Sequence, residues 1–410
     1  MTAPEYAERL GILDVLAENP PHAYFPPLKE GCPSELPNGH LPSTTACVGF
    51  PEGGTAKVQV VLKTGASEQA KAKKALSTFL ACIPDILIVS DAEDTLNGRR
   101  VVDVLADLPS SYADDNPDWD AYEAQKELIA EGDDVEKSRG GWRLDRFKFL
   151  PMVEKAYEVD PHADWYLFIE DDIYVFWDSF YRLVSLLDPG QRHFLGTAVP
   201  GANHTFFGYG GGGTILSQGL LHDLFDGRQQ GLSEKYEALV KRDCCGDAIL
   251  AYAIYGELGV RIKNAFPSLS GEALNALGVE EESWCTPLTT LHRVPIERME
   301  ELWKWERCRP HSEVSMISLP LWQLLLMCNP GTNHSRHDLE LSAFSRLARQ
   351  LNSGKLGQFL RPDRAFLEEV WHSLGGSLSR VLLQRPPLPA MELCRWSLSH
   401  SAPGKERQKR

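Results

Sequence analysis

The stretch WYLFIEDDIYVFW, Trp165 to Trp177, constrains the fold of this chain more than any other. Trp165 to Ile169 is apolar, aromatic and β-prone, the composition of a strand covered on both faces of a sheet. Glu170, Asp171 and Asp172 follow without a break, and the chain turns apolar again from Ile173 to Trp177. Adjacent carboxylates between two buried runs repel each other and resist burial, so something must compensate. A hard divalent cation, manganese or magnesium, suits oxygen ligands. Side chains alternate along a strand, so Glu170 and Asp172 point the same way and Asp171 points elsewhere. Three acids alone would read as a solvated turn. The flanking hydrophobicity and the segments downstream argue against that.

The segments before this stretch predict a parallel sheet. KVQVVLKTGA, Lys57 to Ala66, is a β-branched run ending in glycine and reads as the first core strand. Ser67 to Cys82 reads as a helix with Ser67 as its N-cap. DILIVS, Asp85 to Ser90, is a second buried strand closed by Asp91. Strand, helix, strand in this order is a βαβ unit. Ligands of such sheets bind outside the carboxyl ends of the strands, which places Lys63, Thr64, Gly65 and Asp91 on that edge. Taken singly, these four are an ordinary turn and helix start.

Composition bounds the remaining possibilities. The 410 residues allow two or three domains or one large α/β unit. A net charge of −15 argues against non-specific nucleic-acid binding, because phosphates would be repelled. The nine cysteines hold no Cys-x-x-Cys pair, which argues against a zinc knuckle and is compatible with a few disulfides. Asn203-His-Thr and Asn333-His-Ser are N-glycosylation triplets of a kind that also arises by chance. The opening MTAPEYAERLGILD is polar, and no run reaches the ~20 apolar residues of a spanning helix.

Residues 1–56 read as an irregular lead-in rich in Pro and Gly. Residues 107–141 read as a polar excursion with a helix inside it. Gly141 to Glu158 follows as an amphipathic helix that Pro151 should kink or start late. A helix over Asp178 to Leu187 and a short strand around His193 to Thr197 come next. Phe206 to Ser217 carries four consecutive glycines, 210 to 213, a pattern of neither helix nor ordinary strand. Asp243 to Val260 reads as a helix with Asp247 in its first turn, where the helix dipole favours a carboxylate. Cys244 and Cys245 can pair with Cys285 or Cys308, and spacing leaves the choice open. A helix over Pro295 to Glu306 closes a domain spanning 57–310. The tail, 311–410, holds 13 Lys and Arg against 8 acids, a reversal of sign that marks a separate extension, partly helical with a disordered end.

Several of these segments resemble one family. WYLFIEDDIYVFW is similar to the metal-binding segment of fringe-like glycosyltransferases, family 31, in the fungal branch related to core 1 β1,3-galactosyltransferases. KTGASE, VSDAED, the glycine stretch, DCCGDAILAYAIYGELGV and WCTPLTTLHRV (Trp284 to Val294) are similar to that branch as well. The likeness runs from about Val58 to Arg307. It implies a GT-A type fold: a Rossmann-like, mostly parallel central sheet with helices on both faces. It implies that Glu170, in place of the first Asp of a D-x-D motif, holds manganese (or magnesium) together with Asp172 and His292. Thr64 and Asp91 would border the uridine of a UDP-sugar and Asp171 would belong to the same donor site. Lys148 would face the phosphates, although an exposed helix lysine is nearly as good a reading. Gly211 and Gly212 would line the sugar pocket, and Trp284 would be a sugar-stacking surface or a core residue. Asp247 would act as catalytic base.

The resemblance further implies inverting, β1,3 transfer of galactose from UDP-galactose to a glycan or glycoprotein acceptor. It implies a Golgi setting with an N-terminal membrane anchor, which this sequence does not display. Arg293 stands where the branch has a second His, a departure that bears on acceptor contacts. Two rivals are a metal-dependent hydrolase of a phosphate or sugar substrate, and a catalytically silent sugar-binding relative. The first would need further metal-binding histidines or a second acidic cluster. The second would have lost positions that are filled here.

Overall fold

The computed structural model describes residues 57–133, 141–185, 187–201, 205–273 and 288–308. All of them belong to one compact unit of the chain. The lead-in 1–56, the tail 311–410, Trp284, Cys285 and the asparagines of both glycosylation triplets, Asn203 and Asn333, lie outside the described residues.

In chain order the strands are β1 Val58–Lys63, β2 Ile86–Ser90, β3 Asp94–Leu96, β4 Arg99–Asp103, β5 Trp165–Glu170, β6 Tyr174–Val175, β7 Phe194–Gly196, β8 Ala198–Pro200, β9 Phe206–Gly208, β10 Thr214–Ser217, β11 Lys263–Asn264, β12 Leu269–Ser270 and β13 Thr290–Leu291. The helices are α1 Gln69–Ser77, α2 Asp120–Glu131, α3 Asp145–Val159, α4 Trp177–Ser185, α5 Gln218–Phe225, α6 Leu232–Lys235, α7 Glu237–Arg242, α8 Gly246–Leu258 and α9 Ile296–Cys308. This is a mixed α/β architecture around one large sheet.

That sheet has eight strands in the order β11-β7-β10-β5-β1-β2-β4-β3. Four of its seven pairings are parallel and three antiparallel. Only β10 and β3 run against the rest. The βαβ expectation holds, with β1 beside β2 and parallel to it. The central acidic strand β5 lies between parallel β1 and antiparallel β10. Val61, Leu87, Val89, Tyr166 and Phe168 pack in one core with Phe147 and Leu150 of α3 and Ile249 and Ile254 of α8. Their alternates Val60, Leu62, Ile88, Leu167 and Ile169 are buried too, so both faces of the sheet are covered. That double coverage is why these strands are apolar runs rather than alternating ones.

Several local expectations change. The cap of α1 is Glu68, not Ser67, and it makes no side-chain capping bond. A 3₁₀ turn over Gly141–Leu144 precedes α3, which then passes through Pro151. Pro151 thus stays in the helix interior, and starting late does not remove it. Gly210–Gly212 form a 3₁₀ turn after all, ended by Gly213 at φ 76°, and strand β10 separates them from the next helix. Glycine suits a tight turn that closes into a positive-φ residue. The β3–β4 hairpin, turning on Asn97 (φ 50°) and Gly98 (φ 76°), is unforeseen. Cys244 and Cys245 are bonded to each other, not to a distant cysteine. Adjacent in the turn before α8, they meet without any long-range approach.

Candidate metal centre

The carboxyl ends of β1, β2 and β5 lie side by side. Lys63 is register-paired with Glu170, and Val89 with Lys63. The turn after β5 is closed by a hydrogen bond from the Ile173 amide to the Glu170 carbonyl, 3.1 Å. It sends Asp171 and Asp172 in different directions. The carboxylate of Asp171 turns into the protein and accepts a 2.6 Å hydrogen bond from the Thr64 hydroxyl. Burial pushes its pKa up to about 7, an effect that the Thr64 bond and Lys71 only partly offset.

His292 reaches Asp172 through a second, three-stranded sheet in the order β12-β13-β6. β6 begins two residues after Asp172, and β13 ends one residue before His292. Their antiparallel pairing sets Leu291 against Tyr174. The Val294 amide then bonds the Asp172 carbonyl at 2.9 Å. The result is a group of three in which ligand atoms of Glu170, Asp172 and His292 all lie within 4.8 Å of one another.

Three features fit this group to a cation. First, Asp172 Oδ1 is buried without a hydrogen-bond donor. His292 Nε2 stands 3.5 Å from it, too far for a hydrogen bond. Second, His292 Nδ1 lies 3.0 Å from the Gly271 carbonyl, which can only accept. Nδ1 therefore donates to that carbonyl and Nε2 is the ring nitrogen that faces the acids, the orientation of a ligating histidine. Third, burial raises the pKa of Asp172; His292 beside it offsets part of that rise, and the nearby Glu170 charge adds to it, so the acid gains from a further positive charge at this point. A second group, Asp243 with Cys244 and Cys245, is also close-set, but both sulfurs are consumed in the disulfide.

The glycine turn supports this centre from below. A Cβ on Gly210 would lie 2.7 Å from Glu170 Oε1, and one on Gly211 would lie 2.3 Å from His292 Cε1. A Cβ on Gly212 would meet Thr197 Oγ1 at 2.4 Å. Gly211 and Gly212 are thus glycines because His292 and Thr197 pack directly on their backbone. The Gly210 amide donates to Asp247 Oδ2 at 3.0 Å, and the Gly212 carbonyl accepts from Thr290 Oγ1 at 2.6 Å. Asp247, in the first turn of α8, lines the same small cavity as Lys63, Glu170 and Gly210. Its pKa is raised by burial, against hydrogen bonds from the Gly210 and Ala248 amides that favour the charged form.

Asp91 and Lys148 also come to this edge, but they meet each other. Lys148 Nζ lies 2.8 Å from Asp91 Oδ2 and donates to the Thr64 carbonyl at 2.9 Å. Both side chains are buried, so the exposed-lysine reading of Lys148 does not hold. Burial alone would raise the pKa of Asp91. The Lys148 ammonium, with the Ala66 amide and Gln125, outweighs it and holds the pKa below the usual carboxylate range.

The sequence places Lys63 on the ligand edge without a specific role, and it does not single out Asp145. The one available signal was a lysine closing an otherwise apolar strand. Asp145, at the start of α3, looks like any acid in a first helical turn. No family model matches the chain, and no curated protein matches it.

Proposed function

We propose that this chain is a metal-dependent inverting glycosyltransferase of GT-A type. The donor is a UDP-sugar, most simply UDP-galactose, and the hexose goes in β1,3 linkage to a glycan or glycoprotein acceptor in the Golgi. The observation that supports it best is the convergence of Glu170, Asp172 and His292 at the carboxyl edge of the sheet. That edge is where sheets of this kind bind nucleotides. The identities of sugar and linkage come from the resemblance to fungal fringe-like enzymes.

Glu170, Asp172 and His292 would hold manganese, which when bound neutralises the charge of a diphosphate leaving group. Thr64 and Asp171, joined by their short hydrogen bond, form the wall of that edge between β1 and β5. Asp247 would take the proton from the acceptor hydroxyl as that oxygen attacks the anomeric carbon. Its raised pKa suits a base that must hold the proton it receives. The Gly210 amide orients its carboxylate for that task.

A panel of UDP-sugars with manganese, read as released UDP, tests the proposal. The wild type should turn over one of them, and Asp172→Ala should abolish both manganese binding and turnover while its melting curve stays cooperative. Full turnover by that variant would refute the metal assignment.

A further inference from the structure

Lys63 is the last residue of β1 and is almost wholly buried, 5% exposed, beside a carboxylate that the centre needs. Its ammonium has three protons to donate. Asp145 takes the shortest contacts, Oδ1 at 2.5 Å and Oδ2 at 2.6 Å. Glu170 Oε1 lies at 3.1 Å. The Phe149 ring closes off another side, its centroid 4.4 Å from Nζ. With its donors engaged and a ring against it, Lys63 has little left to offer a phosphate.

The consequence falls on Glu170. Its Oε1 is held by Lys63 on one side, and Gly210 lies so close that a Cβ there would stand 2.7 Å away. Among the described residues Lys63 is the only cation paired with Glu170. Oε1 is therefore held within the protein, which fixes how the carboxylate is turned. Asp145, on α3, anchors the same ammonium through both carboxylate oxygens, so Lys63 cannot swing out and follow a moving carboxylate.

We propose that Lys63, anchored by Asp145, is a positioning residue that holds the Glu170 carboxylate in place for the cation. This rests on the metal reading above. It makes a prediction whose sign differs from that of simple electrostatics. Removing a positive charge beside a cation site should tighten cation binding. Removing a clamp on a ligand should weaken it, by roughly 10–100-fold where ligand-orienting partners are lost.

Manganese titration calorimetry on the full chain separates these effects, using the wild type, Lys63→Met, Lys63→Arg and Asp145→Asn. The expected results are at least tenfold weaker binding for Lys63→Met, a partial return for Lys63→Arg, and a smaller loss for Asp145→Asn. Equal or tighter binding by Lys63→Met, while Asp172→Ala still abolishes it, would overturn the clamp and leave the metal centre standing. No binding by the wild type would overturn both. If Lys63→Met does not fold, Asp145→Asn decides. Its side chain is 45% exposed, so the fold should tolerate the change, and unchanged affinity there would overturn the proposal.

Discussion

Replacing Lys148 with Met tests how the edge of the sheet is held together. Lys148 is 2% exposed and Asp91 1%, so the substitution leaves a carboxylate in the interior without its cation. Breaking a buried pair from one side costs about 3–5 kcal/mol. Asp91 keeps the Ala66 amide at 2.9 Å and Gln125 Nε2 at 3.1 Å, which places the cost near the lower end. Protonation sets a ceiling. An ordinary aspartate near pKa 3.9 can be neutralised for about 1.4 kcal/mol per pH unit above that value, so about 4 kcal/mol at pH 7 and ~1.5 kcal/mol at pH 5. The sign reverses between the two proteins. In the wild type the pKa of Asp91 is depressed, so its stabilisation is present above the unfolded value and lost as pH falls through the folded one. In Lys148→Met the folded pKa rises above the unfolded one, so stability is lost as pH increases. Urea unfolding at pH 5 and pH 7 should show a gap between the proteins that grows by ~1–2 kcal/mol. A gap below about 1 kcal/mol at pH 7, or one independent of pH, would refute the buried pair.

Other substitutions address the rest of the site. Gly211→Ala places a methyl group 2.3 Å from the His292 ring, so the imidazole must move; manganese affinity should fall about tenfold, with a stability cost of ~1–3 kcal/mol by thermal melt. Asp247→Asn should keep UDP binding by calorimetry and lose sugar transfer. Asp171 has its pKa raised from 3.8 to about 7, so in the metal-free protein its charge destabilises progressively from pH 4 upwards. Asp171→Asn keeps an oxygen for the Thr64 hydroxyl and should raise the melting temperature at pH 8 but not at pH 4.

Much of the layout was legible because burial on both faces writes itself as continuous apolar runs. VQVVLK, ILIVS and WYLFIE could hardly be anything but central strands, and each ends in polar residues at one edge. The hidden features are those that depend on register or on very short elements. Asp94–Leu96 and Arg99–Asp103 are too polar to show a strand pattern, although Asn97-Gly98 between them is a strong hairpin signal. The direction of β10 was hidden because the glycines before it carry no pattern at all. His292 is brought to the acids by β6, β12 and β13, each only two residues long, below the length at which any periodicity exists. Its place in the site came from resemblance, since nothing in its neighbours signals it.

The same limit explains why the sequence puts Lys63 on the ligand edge without a role and leaves Lys148 between the phosphates and an exposed helix face. Sequence shows which residue types reach a strand end, but not which neighbour each meets there. Lysines and acids from several elements arrive at this edge, and strand register together with the placement of α3 sorts them. β1 against β5 gives Lys63 to Glu170, while α3 supplies Asp145 to Lys63 and Lys148 to Asp91. Helix α3 therefore contributes an anion to one pair and a cation to the other, with Asp145 and Lys148 three residues apart on one face. A shift of α3 along its axis would disturb both pairs together, and through Lys63 it would reach Glu170. The position of this helix against β1 and β2 is thus tied to the geometry of the centre, although none of its residues is among the three that converge there.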